Sequence, residues 1–379
     1  MLGAGTAVAA AERGALRDIA ASIRRTFPDH VPLYACTALF CAVTAAVIVA
    51  FRLPVPMDAA TFFFEIIGKF LILGAGLAAM AQLIALIREG STERALPTIA
   101  RRLRERILVG DRAGNMFHAL VTLTPLMVCF ASMKSVIAQI KPFSWDRTFM
   151  DWDRAIGFGH LPWQLLQPEL GYPVVTAALN ATYDAWFLIM FGSLFWQAFS
   201  SGRSRTRMQY LLAFALSWFL AGNVLAAVFS SAGPCFYGYL HPGHDPYAPQ
   251  MAYLHAVGQH WPMWSLQVQD LLWQSYATGS GVVSGISAMP SMHVTSTVLI
   301  ALLCWHIDRR LGALLWLFAG LIVIGSIHLA WHYAVDSLAG IALAVIFWQA
   351  AGLILRADAH YRRRGNGGVP RAGHEAAAA

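Results

Sequence analysis

Charge is what this chain has least of. Only 12% of its 379 residues are charged, while 58% are hydrophobic. An ordinary soluble domain carries about 25% charged residues. With a mean hydropathy of +0.55, composition excludes a soluble globular fold and places the chain in the membrane class. Cysteine is also sparse. Cys36, Cys41, Cys129, Cys235 and Cys304 form an odd, scattered set without a CxxC pair. That excludes a disulfide framework or a zinc ribbon and leaves them as packing residues. A basic leader is missing too: the first apolar stretch, Leu2 to Ala11, has no basic n-region before it and runs into Glu12 and Arg13, so no cleavable signal peptide is expected. No internal repeat appears. The net charge of +7 is not gathered into one soluble basic face, which argues against a nucleic-acid partner.

What the chain does have is apolar length. Eight segments are long and apolar enough to span a bilayer, beginning near Leu33, Phe63, Met116, Val174, Tyr210, His293, Leu314 and Val335. The predicted fold class is all-α, a polytopic membrane helix bundle. Basic clusters follow the second, fourth, sixth and eighth segments. They are the seven arginines from Arg88 to Arg112, then Arg203, Arg205 and Arg207, then Arg309 and Arg310, then Arg362, Arg363 and Arg364. The positive-inside rule makes all of these loops and both termini cytoplasmic. Four regions follow: an N-terminal interfacial segment, 1–30; two spans with a basic loop, 31–114; a catalytic membrane domain, 115–357; and a disordered cytoplasmic tail, 358–379. Within the first region, Leu16, Ile19, Ile23 and Phe27 share the face of a helix expected to lie on the membrane surface. Glu65 and Lys69 are placed to pair within the second span. His241 and His244 read as features of a Pro/Gly-rich loop.

The opposite side receives the two long loops, from Lys141 to about Tyr172 and from Gly233 to about Ile286, both rich in Trp, Pro, Tyr and His. Loops of that kind commonly carry function. Three polar clusters converge on this side. Pro290-Ser291-Met292-His293 stands at the mouth of the sixth span. His328, His332 and Asp336, spaced i, i+4, i+8, share a face if they lie on one helix. Lys134 and Lys141 lie near the end of the third span. The chemistry suggested is phosphoryl transfer. A histidine oriented by a carboxylate is a nucleophile. A second histidine serves as acid and base, and lysines with helix N-terminal amides neutralise phosphate oxygens. This chemistry needs no cofactor and no metal.

These residues resemble the type-2 phosphatidic acid phosphatase superfamily, whose signatures are KxxxxxxRP, PSGH and SRxxxxxHxxxD. Here the corresponding residues are Lys134 with Lys141-Pro142, then Pro290-Ser291-Met292-His293, then His332 with Asp336. The branch it looks most like is that of the inositol phosphorylceramide synthases and their bacterial relatives, which share an HYxxD element and a Trp-Asp-rich stretch like PFSWDRTFMDWDRAIGFGHLPW. The resemblance covers roughly residues 115–350. It implies a phosphohistidine on His332, oriented by Asp336, with His293 as general acid and base and phosphate held by Ser291, Lys134 and Lys141. It also implies membrane lipids as partners: a phospholipid donor, with ceramide or diacylglycerol as candidate acceptors. An inner bacterial membrane is the expected location, with the site at the extracytoplasmic face. No protein partner follows from it. Two departures stand out: Lys141 replaces an arginine, and Ser326 occupies the third signature's arginine position, so the usual pair of arginine forks is missing.

Other readings compete. His328 and His332 at i, i+4, with Asp336 or His293, would also suit a metal. Lys134 and Lys141 would also suit interfacial snorkelling. Asp146 and Asp153, in a WDR element that occurs twice, are candidates for a polyol headgroup, with an aromatic belt as the plainer account of their tryptophans. Asp184 and His328 are further candidates for the cavity. A transporter would place polar groups along a path through the bilayer, and a plain lipid phosphatase would use the same histidines with water as acceptor.

Overall fold

The computed structural model describes residues 2–52, 57–90, 94–108, 110–202, 204–279 and 285–365. All regular structure among them is helical. The N-terminal part comprises α1 (Leu2–Ala50), α2 (Met57–Arg88), α3 (Ala95–Leu108) and α4 (Arg112–Ile140). Two short helices, α5 (Asp146–Ile156) and α6 (Pro162–Leu170), precede the long α7 (Pro173–Ala198). Helix α8 (Arg205–Leu216) continues through a π-helical stretch, Ser217–Leu225, into α9 (Ala226–Val228). The short helices α10 (Tyr237–Leu240), α11 (Ala248–Gly258) and α12 (Trp264–Thr278) then lead to α13 (Met292–Ile307), α14 (Arg309–His328) and α15 (Ala334–Gly365).

Seven helices among the described residues are long and apolar enough to cross a membrane. The sixth expected segment, α13, has 16 residues, shorter than the ~20 that a lipid-facing span needs. It is central instead. Val294, Val298, Leu299, Ile300 and Leu303 are fully buried, and α7, α8, α14 and α15 pack around it. Helices suit this setting because their backbone hydrogen bonds close within the segment. Exposed Leu and Ile on α2, α14 and α15 face outward, as lipid requires.

Helix α1 corrects one boundary. The amphipathic segment does not end before the first span but continues through Pro28 and Pro32 as one helix. Its protein-facing stripe is Ser22, Thr26 and His30, which are buried, while Leu16 and Phe27 stay exposed. Polar, small residues let α4 approach closely. A Cβ on Gly114 would lie 2.3 Å from Thr26 Oγ1 and 2.5 Å from the Ser22 carbonyl oxygen. Further along this contact the Cys41 and Cys129 sulfurs, both free thiols, lie 3.5 Å apart. Glu65 and Lys69 do pair, at 3.2 Å. At the other terminus α15 remains helical to Gly365, so residues 358–365 belong to the last helix. The rest of the expected disordered tail, 366–379, lies outside the described residues, as does Arg203.

The two ends of the bundle differ in kind. At one, arginines tie helix ends together: Arg112 Nε donates to the Phe199 carbonyl at 2.8 Å and Arg205 Nη2 to that of Gly352 at 3.2 Å. At the other, loops knit to one another by backbone bonds. Ser144 N donates to Ser230 O (3.0 Å), Ala288 N to Ser231 O (2.9 Å) and Cys235 N to Ala330 O (2.9 Å). The polar clusters picked out above gather at this second end.

Candidate active site

Helix α14 stops at His328, and the chain turns through Ala330, a non-glycine residue at φ +60°. The single helical face expected of His328, His332 and Asp336 therefore does not form. His328 ends one helix, His332 sits in the turn, and Asp336 lies in the first turn of α15. The i, i+4 geometry on which a His328–His332 metal pair depends is lost as well. His328 Nε2 instead meets Thr176 Oγ1 at 2.9 Å, and the Thr176 hydroxyl meets Tyr253 OH at 2.7 Å. Its work is to join α7, α11 and α14.

His332 is held by backbone. Its N–H and that of Trp331 both donate to the Ser326 carbonyl, each at 3.0 Å. Its ring Nδ1 lies 2.9 Å from the Ala288 carbonyl oxygen. A carbonyl only accepts, so Nδ1 carries the proton and the lone pair resides on Nε2. Nε2 has no hydrogen-bond partner among the described residues. Burial lowers the His332 pKa to about 3; the nearby Lys134 charge adds to this, and the bond to Ala288 opposes it. The ring is neutral at physiological pH, the state a nitrogen nucleophile needs.

Asp336 stands in a different relation to His332 than expected. Its Oδ2 is 3.5 Å from His332 Nδ1, beyond a good hydrogen bond. That oxygen accepts the Tyr333 N–H at 2.9 Å, the reciprocal half of a capping box at the start of α15. Its Oδ1 is buried without a partner. The Asp336 side chain thus caps a helix and stands beside the ring, while Ala288 fixes the tautomer.

His293 enters from α13. Ser291 is that helix's N-cap, its hydroxyl oxygen accepting the Val294 N–H at 3.4 Å, which leaves the hydroxyl proton free to donate. Ser291 N donates to the Asp336 carbonyl at 3.2 Å, so the two signature segments are stitched directly. The His293 and His332 rings face edge to plane with centroids 5.8 Å apart. Two α7 residues that sequence reasoning overlooked wall His293 in: Trp186 at 4.0 Å and Tyr183, stacked at 4.6 Å. They lie at i, i+3 beside Asp184, so they share a face of α7. Trp186 Nε1 donates to Ser296 Oγ at 2.9 Å, which fixes the indole. Asp184 itself accepts from Asn180 Nδ2 at 2.8 Å, and Asn180 Oδ1 accepts the Ser265 N–H. Asp184 therefore braces Asn180, which makes the contact between α7 and α12.

The lysines separate. Lys134 is at the histidines, its Nζ donating to the Ser287 carbonyl at 3.3 Å, one residue before Ala288. Lys141 Nζ donates to the Val228 carbonyl at the end of α9, away from the Ser287 carbonyl that Lys134 meets.

Asp146 and Asp153 are the largest departure. Periodicity does place them on one face of α5, but that face turns inward: both are buried, while Trp152 is 47% exposed. Asp146 accepts from the N–H groups of Ala232 (3.0 Å) and Gly233 (2.9 Å) and from Tyr333 OH (2.9 Å). Asp153 accepts from Ala334 N (2.8 Å) and Val335 N (3.0 Å), which are orphan donors of the α15 N-terminus. Burial raises the pKa of Asp146. It pushes Asp153 up to about 7, the two N–H bonds opposing and the Asp336 charge adding. With their oxygens committed to this scaffold, neither carboxylate is available to a headgroup. They hold the turn that carries His332.

A model of the PAP2 superfamily matches residues 147–350, more than half of the chain. The chain belongs to the PAP2 superfamily. No curated protein and no solved structure matches it. The matched range contains His293, His332 and Asp336, whereas Lys134 and Lys141 precede it. As a multi-pass PAP2 protein the chain fits lipid phosphatase-type chemistry.

One glycine is critical to this PAP2 site. Gly233 adopts φ +107°, and a Cβ there would lie 2.8 Å from the Trp331 carbonyl and 3.3 Å from the Ala288 Cβ. Both neighbours support His332. We expect Gly233→Ala to lower turnover by at least about tenfold and to destabilise the fold by ~1–3 kcal/mol, measured by activity and thermal unfolding in detergent. Wild-type values for both would show that the turn tolerates displacement.

Proposed function

We propose that this protein is a metal-independent lipid phosphotransferase or phosphatase that works through a phosphohistidine on His332. The observation that carries this reading is the Nδ1–H bond from His332 to the Ala288 carbonyl, which presents a neutral ring with a free lone pair next to His293 and Lys134. Nε2 attacks phosphorus and forms the N–P bond. The P–O bond to the lipid alkoxide breaks, and His293 donates the proton that the leaving oxygen takes up. An incoming hydroxyl then loses its proton to His293 and attacks phosphorus, returning the N–P pair to Nε2. Lys134 and the Ser291 hydroxyl neutralise phosphate oxygens. Asp336 offsets the positive charge that the phosphorylated ring acquires.

The substrate class proposed is a phospholipid or sphingolipid phosphoester, with transfer of an inositol-phosphate-like headgroup to ceramide or diacylglycerol. Water as acceptor turns the same site into a phosphatase for phosphatidic acid or isoprenyl phosphate. Purified protein, incubated in excess chelator with phosphatidylinositol or phosphatidic acid labelled in the phosphate, with and without each acceptor, separates these outcomes. Transferred label supports the transferase and released phosphate the phosphatase; no turnover of any lipid, or turnover only when metal is restored, overturns the mechanism.

The basic ends of the helices support a cytoplasmic location for both termini and an extracytoplasmic site in a bacterial inner membrane. In a cysteine-free background, His260→Cys should react with an impermeant thiol reagent only from outside and Arg309→Cys only from inside. The reverse pattern overturns this orientation.

A further inference from the structure

At the arginine-rich end of the bundle, between α1, α4, α8 and α15, lies a cavity of about 690 Å³. It is lined by Arg205, Arg207, Arg356, Arg362 and Arg363 against a single carboxylate, Asp29. Its position sets it apart from the histidine site. Helix α15 carries Asp336 in its first turn and Arg356 some 20 residues later, about 30 Å along the axis. Helix α8 likewise starts at the cavity and reaches the site end through α9.

Basic residues at a cytoplasmic helix end are ordinary, but three observations go beyond that. First, Arg207 is only 2% exposed and has no carboxylate within ion-pair distance among the described residues. Its guanidinium donates to the carbonyls of Gln197 (2.6 Å) and Asn115 (3.4 Å) and contacts His30 Nε2 at 3.2 Å. Those neutral partners satisfy its hydrogen bonds without setting a carboxylate against it, and a buried charge without a counter-charge in contact is costly. Second, Arg362 pairs with Asp29 at 3.5 Å and with Asp358. Arg205, Arg356 and Arg363 have no carboxylate partner among the described residues. Third, the space opens to solvent, is too large for one inorganic phosphate, and falls within the ~300–1,000 Å³ of small-molecule sites. Planar guanidinium forks lining such a space suit phosphate oxygens, which they can match bidentately.

We propose that this cavity binds a phosphate-bearing anion, drawn either from a lipid headgroup of that leaflet or from a soluble phosphate ester. The site is independent of the histidine chemistry, so either reading can fail alone. Two probes distinguish the sources: inorganic pyrophosphate, and dioctanoyl phosphatidylglycerol in neutral detergent, each titrated by calorimetry into the purified full chain. Arg356 and Arg363 are exposed, so R356Q/R363Q should keep its fold, checked by circular dichroism. We expect at least one probe to bind the wild type and the double variant to bind it at least about tenfold more weakly, with affinity falling as salt rises. H332A should bind as the wild type does. Pyrophosphate binding indicates a soluble ligand, and binding of the lipid alone a headgroup. The proposal is overturned if neither probe binds, if R356Q/R363Q binds as tightly as wild type, or if R88Q/R94Q, which removes arginines outside the cavity, weakens binding equally.

Discussion

His332→Ala should abolish turnover, with a loss of roughly 10⁵–10⁶-fold, and with it any acid-labile phosphoenzyme. The size follows from the role: a side chain that forms the covalent intermediate has no substitute once removed. Structural damage is not expected to account for the loss. The turn is held by backbone bonds to Ser326 and by Asp153 and Asp146, none of which needs the imidazole. Rapid quench with phosphate-labelled lipid, followed by gel analysis at high and low pH, reads the intermediate directly. Persistence of an acid-labile phosphoenzyme in the alanine variant would place the nucleophile elsewhere. Asp336→Asn should be milder. Because Ala288 fixes the ring tautomer, the amide removes only a charge 3.5 Å from Nδ1, and its oxygen can keep the Tyr333 N–H bond. At an effective dielectric near 20 such a charge is worth a few kcal/mol, about 10²–10³-fold in rate. A His332-sized loss in Asp336→Asn with an unchanged unfolding midpoint would mean that the carboxylate, and not the Ala288 carbonyl, sets the tautomer during turnover.

The division between what the sequence reveals and what it hides has a physical basis. Apolar length and the alternation of basic loops place the helices because both are local, additive signals. The PSMH and HYxxD elements place the two histidines because each lies beside a helix start that a short motif marks. The break after His328 leaves no such mark: Ala330 adopts the left-handed conformation without being glycine or asparagine. Spacing therefore suggests a continuous helical face where a turn exists. Backbone partners are equally silent, since the carbonyls of Ser326 and Ala288 do not depend on side-chain identity. The inward turn of Asp146 and Asp153 reverses the usual rule that tryptophan is buried and aspartate exposed. It is intelligible only once the N-terminus of α15 is seen to present unpaired N–H groups to α5. Trp186 and Tyr183 were hidden for the opposite reason: aromatic residues on an apolar helix carry no contrast with their surroundings.

His293→Ala should separate the two chemical steps. In the proposed mechanism the imidazolium protonates the leaving alkoxide in the first step, and the neutral ring removes a proton from the acceptor in the second. Loss of a general acid–base group of this kind lowers turnover of a natural lipid by about 10²–10⁴-fold. A nitrophenyl phosphoester leaves without help from an acid, so its first step should survive in the variant. The second step still lacks its base. The variant should therefore show a burst of nitrophenol close to one equivalent per enzyme, followed by a slow steady state, with phosphohistidine accumulating on His332. Trp186 and Tyr183 make this experiment interpretable. They pack against the ring, and Trp186 is anchored independently to Ser296, so the alanine cavity keeps its walls. His293→Gln, which fills more of the space without titrating, should show the same burst. A variant that loses activity equally on the lipid and the nitrophenyl ester, with no burst from either, would assign His293 to holding the site together and leave proton transfer to another group.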